Sequence, residues 1–225
     1  MFGQTPRWRI FSVFKTPVFI EPWFLLLCAF FTFSGLSNMS ELPSRLLIVP
    51  VLFIGILWHE IGHAIAIRRA GYGDSIIILQ GFGGVTVNQR GYTPPGKGAF
   101  ISVMGPIFSL SLTVVFGIAY YVYPNDDLFK EFLQLMAMLN AIWAVFNMLP
   151  INPLDGGHIM MYGLRKVMKN DRKAILTTAY ISIGVLVVLA AIGTAAFDLG
   201  MYTWLIAIMI GFSNVQIIQR YSGKR

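Results

Sequence analysis

GILWHEIGHAIAIRR (residues 55–69) decides how the chain is read. It lies within one of the most apolar parts of a very apolar chain, yet places His59, Glu60 and His63 within five residues. On a helix, positions i and i+4 share a face, so His59 and His63 present their imidazoles to one point. Neutral imidazole suits zinc at about 2.0–2.1 Å. Glu60, beside the first histidine, is placed to take a proton from a metal-bound water, whose pKa a metal lowers from 15.7 to about 7 in favourable sites. This is the H-E-x-x-H arrangement of zinc hydrolases. The plainer reading is a polar patch at a helix interface. Ionisable groups at mid-membrane cost a few kcal/mol each on insertion scales and usually mark function.

The surroundings support a membrane setting. The 225 residues are 56% hydrophobic, with a mean hydropathy of +0.68 and only 12% charged residues, about half the share usual in soluble domains. Several apolar runs reach the roughly 20 residues that cross a bilayer core as a helix. The expected fold is a membrane all-α protein with six transmembrane helices, at about 17–36, 46–67, 99–122, 128–149, 174–197 and 201–219. It is read as one integral-membrane domain over 1–225. The N-terminus has no signal-peptide cleavage pattern, so the first span is expected to be retained. Cys28 stands alone and is read as a packing residue.

A net charge of +7 raises nucleic acid as a partner, but the placement of the charges argues against it. With six spans, fifteen of the seventeen basic residues fall on one face; only Arg45 and Lys130 fall on the other. The positive-inside rule then puts both termini in the cytoplasm of a multi-pass cell-membrane protein. The residues set no oligomeric state.

The segment DSIIILQGFGGVTVNQRGYTPPGKG (74–98) breaks the helical pattern. It is β-branched and glycine-rich, and 75–80 and 84–89 read as two strands of a small membrane-associated β-hairpin between helices 2 and 3. WRIFSVFKTPVFI offers a weaker further strand. The edge at Gly83, Gly84, Val85 and Thr86 is the expected place for an unwound substrate segment to add as a strand.

A zinc site needs a third protein ligand, with one position left for water. The candidates lie in FNMLPINPLDGGH (146–158). Asp155 is favoured over His158, because two prolines and two glycines break the helix there and free the carboxylate to turn inward. An aspartate at this place could instead cap the helix that follows.

HEIGH followed about ninety residues later by NMLPINPLDGG resembles the site-2 protease family of intramembrane zinc metalloproteases, from the first span through at least the fourth. The resemblance implies one Zn2+ per chain, held by His59, His63 and Asp155, with Glu60 as general base. It implies that Asn147 positions substrate or stabilises the oxyanion, and that GFGGVT belongs to the family's membrane-associated hairpin. The family often carries G-P-x-x-N at the start of the third span. Here the run is GPIFS, with Ser109 at the asparagine position, while Gly105 and Pro106 suggest close packing or a helix start. No PDZ-like insert or C-terminal regulatory domain is read, so a core-only member is expected.

The implied function is hydrolysis of peptide bonds in or near transmembrane segments of membrane protein substrates. Two alternatives use the same residues: a metal-binding transporter, and an inactive relative that binds transmembrane helices. Transporters line several spans with polar ligands, whereas these gather at one locus. The intact Glu60 argues against the inactive relative.

Overall fold

The computed structural model describes residues 6–34, 36–81, 83–88, 93–197 and 200–223. Arg90, Lys224, Arg225 and the centre of the expected connection between the last two spans lie outside them. The chain is mostly helical and divides into two compact units. One comprises 1–92 and 104–145, the other 93–103 and 146–225.

In the first unit, β1 (Trp8–Val13) and β2 (Thr16–Ile20) form a hairpin. Its turn residues Phe14 and Lys15 have φ of 50° and 66°. Two positive φ values match the right-handed twist of the strands, and Arg68 secures the turn by donating to the Phe14 carbonyl at 2.6 Å. Glu21 ends the strand, and Pro22 opens α1 (Pro22–Phe33) at the position where its missing N–H costs nothing. A 3-10 turn (Met39–Glu41) and α2 (Leu42–Leu46) lead into α3 (Ile48–Arg69). Gly71 and Gly73, with φ of +84° and +77°, then turn the chain into β3 (Ser75–Gln80).

β3 pairs parallel with β2 and antiparallel with β4 (Gly83–Asn88), so the sheet order is β1-β2-β3-β4. The expected hairpin is present, one residue early in its second strand, but as half of a four-stranded sheet. The reading of a hairpin alone between helices 2 and 3 is enlarged accordingly: WRIFSVFKTPVFI, expected to offer one weaker further strand, supplies two. The first span is corrected. Residues 16–20, within an apolar run, are β2, which alternates Thr16 and Val18 inward, and Pro22 confines the helix to twelve residues. At 1.5 Å per residue that is about 18 Å, short of a bilayer core. The core joins sheet and helices: Val18, Phe24, Cys28, Ile56, Ile61, Ala64, Ile77 and Leu79.

α4 (Pro95–Val122) and α5 (Leu128–Asn147) follow. Pro106 lies well inside α4, so GPIFS is not a helix start. Its glycine does serve close packing, as described below. Among the described residues four helical stretches are long and apolar enough to cross a membrane: Met39–Arg69, Pro95–Val122, Leu128–Asn147 and Asp171–Ala196.

In the second unit, α6 (Asp155–Met168), α7 (Asp171–Phe197) and α8 (Gly200–Ser222) pack in sequence. Arg172 at the start of α7 donates to the carbonyls of Tyr221 and Ser222 at the end of α8, fixing an antiparallel pair. The segment before α6 is held from both sides. The Asn152 N–H donates to Ser182 Oγ on α7 at 2.9 Å, and Asn214 Nδ2 on α8 donates to the Asn152 carbonyl at 2.7 Å. Gly156 and Gly157 let the first turn of α6 fold back on this segment. A Cβ at 156 would strike the Met148 and Leu149 carbonyls, and one at 157 would lie 2.5 Å from the Asn152 nitrogen.

Candidate active site

α3 carries the polar cluster, and its registry is set by the sheet on one side and α4 on the other. His59, Glu60 and His63 are all buried. Their ligand atoms lie within 4.8 Å of one another, the metal-capable cluster found among the described residues. The two Nε2 atoms face each other at 3.2 Å. A tetrahedral ion with bonds of 2.0–2.1 Å holds two nitrogens about 3.3–3.4 Å apart. The pair is therefore already spaced as two ligands of one zinc ion.

α4 passes close to both rings. A Cβ at Gly105 would sit 2.6 Å from His59 Nε2, 2.5 Å from His63 Cε1 and nearer still to His63 Nε2. The backbone of α4 can approach both nitrogens this closely because residue 105 has no side chain. One residue earlier on each helix, Gly62 brings α3 against α4 so closely that a Cβ there would lie 2.5 Å from the Met104 carbonyl oxygen. On the far side of His59, Ser109 Oγ stands 3.0 Å from Nδ1.

β4 supplies the other wall. Burial alternates along it, with Val85 and Val87 outward and Thr86 partly buried. Thr86 Oγ1 lies 2.7 Å from Glu60 Oε2 and 3.1 Å from the Glu60 carbonyl oxygen. Gly84 allows this approach, since a Cβ would lie 2.7 Å from Glu60 Oε1. Trp143 from α5 covers the site, with its ring edge-on to His59 at 6.5 Å and against Gly83. Phe30 and Phe31 are exposed, as expected of lipid-facing residues, and Phe53 packs on Phe11 and Phe24.

The structure thus brings together His59, Glu60, His63, Gly83, Gly84 and Thr86 of the expected set. Val85 belongs to the same strand with its side chain outward. Asn147 and Asp155 are buried, at the end of α5 and the start of α6. The N-cap of α6 is Leu154, and Asp155 is the first helical residue rather than the cap. His158 is half-buried on α6. Ser109 and Trp143 had no role assigned from sequence, although the departure at Ser109 had marked the place; Gly105 had been read as a close-packing residue, without the imidazoles as its partners.

Helices able to cross a membrane, carrying a buried pair of imidazoles beside a carboxylate, define a membrane metallohydrolase architecture. Comparison with known proteins makes this specific. Residues 123–191 match the model described as Peptidase family M50. The Synechocystis sp. protein named "Putative zinc metalloprotease sll0528" is 27% identical over 186 residues, 78% of this chain and 49% of that one. The Mycobacterium tuberculosis protein named "Putative zinc metalloprotease Rip3" is 34% identical over 155 residues, 67% of this chain and 39% of that one. The solved site-2 protease from Methanocaldococcus jannaschii has the same fold, with a TM-score of 0.72 at 22% identity over 94% of both chains. The chain belongs to peptidase family M50, the site-2 protease family. It spans half or less of the length of these two curated relatives.

Proposed function

We propose that the protein is an intramembrane zinc metalloprotease that cleaves membrane protein substrates in or near their transmembrane segments. The observation that carries this is the buried pair of Nε2 atoms at 3.2 Å with Glu60 in the same cluster. His59 and His63 supply two ligands. Asp155 is proposed as the third, supported by its burial and by the clamp on Asn152 that fixes the segment leading to it. A zinc ion held there would polarise the scissile carbonyl and make hydroxide available near neutral pH. Glu60 accepts the proton of the attacking water and delivers it to the leaving amine. Asn147 is proposed to donate to the oxyanion.

A helical substrate hides its carbonyls in its own hydrogen bonds, so cleavage needs local unwinding. β4 is an edge strand of the sheet. Its open side, at Gly83 to Thr86, would pair with the unwound segment and replace the lost bonds. A multi-pass arrangement with both termini in the cytoplasm completes the proposal; the distribution of basic residues supports the orientation.

The test is to purify the protein in detergent, quantify zinc, and compare wild type with Glu60→Gln on a transmembrane substrate. Proteolysis lost with zinc retained is the expected result. A wild type that holds zinc but cuts nothing would refute the enzyme reading and favour a binding or transport role.

A further inference from the structure

We propose that Ser109 is a positioning residue of the metal centre, its hydroxyl accepting a hydrogen bond from Nδ1–H of His59 so that Nε2 keeps its lone pair for the ion. This rests on the metal reading above and assigns a role that the motif residues leave open.

A neutral imidazole carries one N–H and one lone pair, and the partner of one nitrogen decides which is which. Histidine ligands commonly have the second nitrogen fixed by an acceptor, which sets both the tautomer and the ring plane. Ser109 meets the requirement in this chain. Its Oγ is 3.0 Å from Nδ1, and the residue is wholly buried. Both residues are buried, so losing the hydroxyl would take this partner from His59 Nδ1 where a polar group is costly to leave unsatisfied.

The neighbouring hydroxyls on α4 donate to their own helix. Ser111 donates to the Phe108 carbonyl at 2.6 Å, while accepting from Trp58 Nε1 on α3 at 3.1 Å, and Thr113 donates to the Ser109 carbonyl at 3.2 Å. Such back-bonding is the ordinary fate of serine and threonine inside a helix. The Ser109 hydroxyl meets the imidazole of His59 instead. Ser109 also stands four residues after Gly105, on the same face of α4. One turn of this helix therefore addresses both sides of His59: Gly105 lets the backbone pass close to Nε2, and Ser109 occupies Nδ1.

The experiment uses the full chain in detergent. Zinc affinity is measured by competition with a chelator for wild type, Ser109→Ala and His59→Ala, together with the unfolding midpoint of each metal-free protein. Ser109→Ala should bind zinc about 10–100-fold more weakly, with its metal-free midpoint close to wild type. Wild-type affinity in Ser109→Ala overturns the proposal while leaving the metal reading intact. A wild type no tighter than His59→Ala removes the metal reading and this inference with it. With three histidines in the chain, 15N-histidine spectra give a second readout that needs no variant at 109. In the zinc-loaded wild type, Nδ1 of His59 should be protonated and slow to exchange. A proton on Nε2 instead overturns the assignment.

Discussion

Replacing Gly105 by alanine tests whether metal binding needs a residue without a side chain beside the two imidazoles. The added methyl would sit 2.6 Å from His59 Nε2 and closer to His63 Nε2. Ordinary non-bonded contacts lie at about 3.5–4.0 Å, so both rings must retreat by roughly 1 Å. Forcing a side chain about 30° off its rotamer costs about 0.5–1.5 kcal/mol. For two rings this is about 1–3 kcal/mol, or roughly 5–150-fold in zinc affinity at 1.4 kcal/mol per decade. The real loss should exceed this, because the methyl also lies at nearly the 2.0–2.1 Å distance at which the ion would bond. The assay is zinc per chain after dialysis against a graded chelator, beside unfolding of the metal-free form. Stoichiometric zinc at wild-type affinity in Gly105→Ala would refute the reasoning.

Thr86→Val removes a hydroxyl that donates to Glu60 while preserving shape. A hydrogen bond to a charged group contributes about 1.5–3 kcal/mol, so turnover should fall about 10-fold or more with zinc content unchanged, and Thr86→Ser should restore it. Equal turnover in the valine variant counts against a role for Thr86. Asn214→Leu leaves the Asn152 carbonyl without its 2.7 Å partner. Leaving a buried polar group unsatisfied costs about 1–3 kcal/mol, which should appear as an earlier unfolding transition; no shift would show the clamp to be dispensable. Asp127, which precedes α5, is held below the ordinary carboxylate value of 3.8 by the Lys130 N–H and then by the Tyr123 hydroxyl. Because its pKa is lowered in the folded state, its contribution is present above pH 3.8 and is lost as pH falls through the lower folded value. Asp127→Asn should flatten the acid limb of a stability–pH profile in that range; an unchanged limb contradicts the assignment.

The His–Glu–His cluster was legible because its spacing alone forces proximity: i and i+4 on any helix bring His59 and His63 together. The hairpin was legible because β-branched residues and glycines alternate there in a way no membrane helix needs. β2 was only weakly legible, as part of WRIFSVFKTPVFI, because it is apolar and continuous with α1, so hydropathy also counted it in the first span. Pro22 and the inward period of Thr16 and Val18 were the available signals. Ser109, Ser182 and Asn214 show a different limit. Each is a single polar residue in an apolar run, and its purpose depends on which neighbour it meets across a helix interface. Gly105 was read as a packing residue, which it is, but what it packs around became visible only when both imidazoles were in place.

The parallel pairing of Val18 with Ile77 carries a topological consequence. Two strands bonded side by side must lie at one depth, and everything between them is a closed excursion. Whatever distance the chain travels away from the sheet through α1 it must retrace through α3.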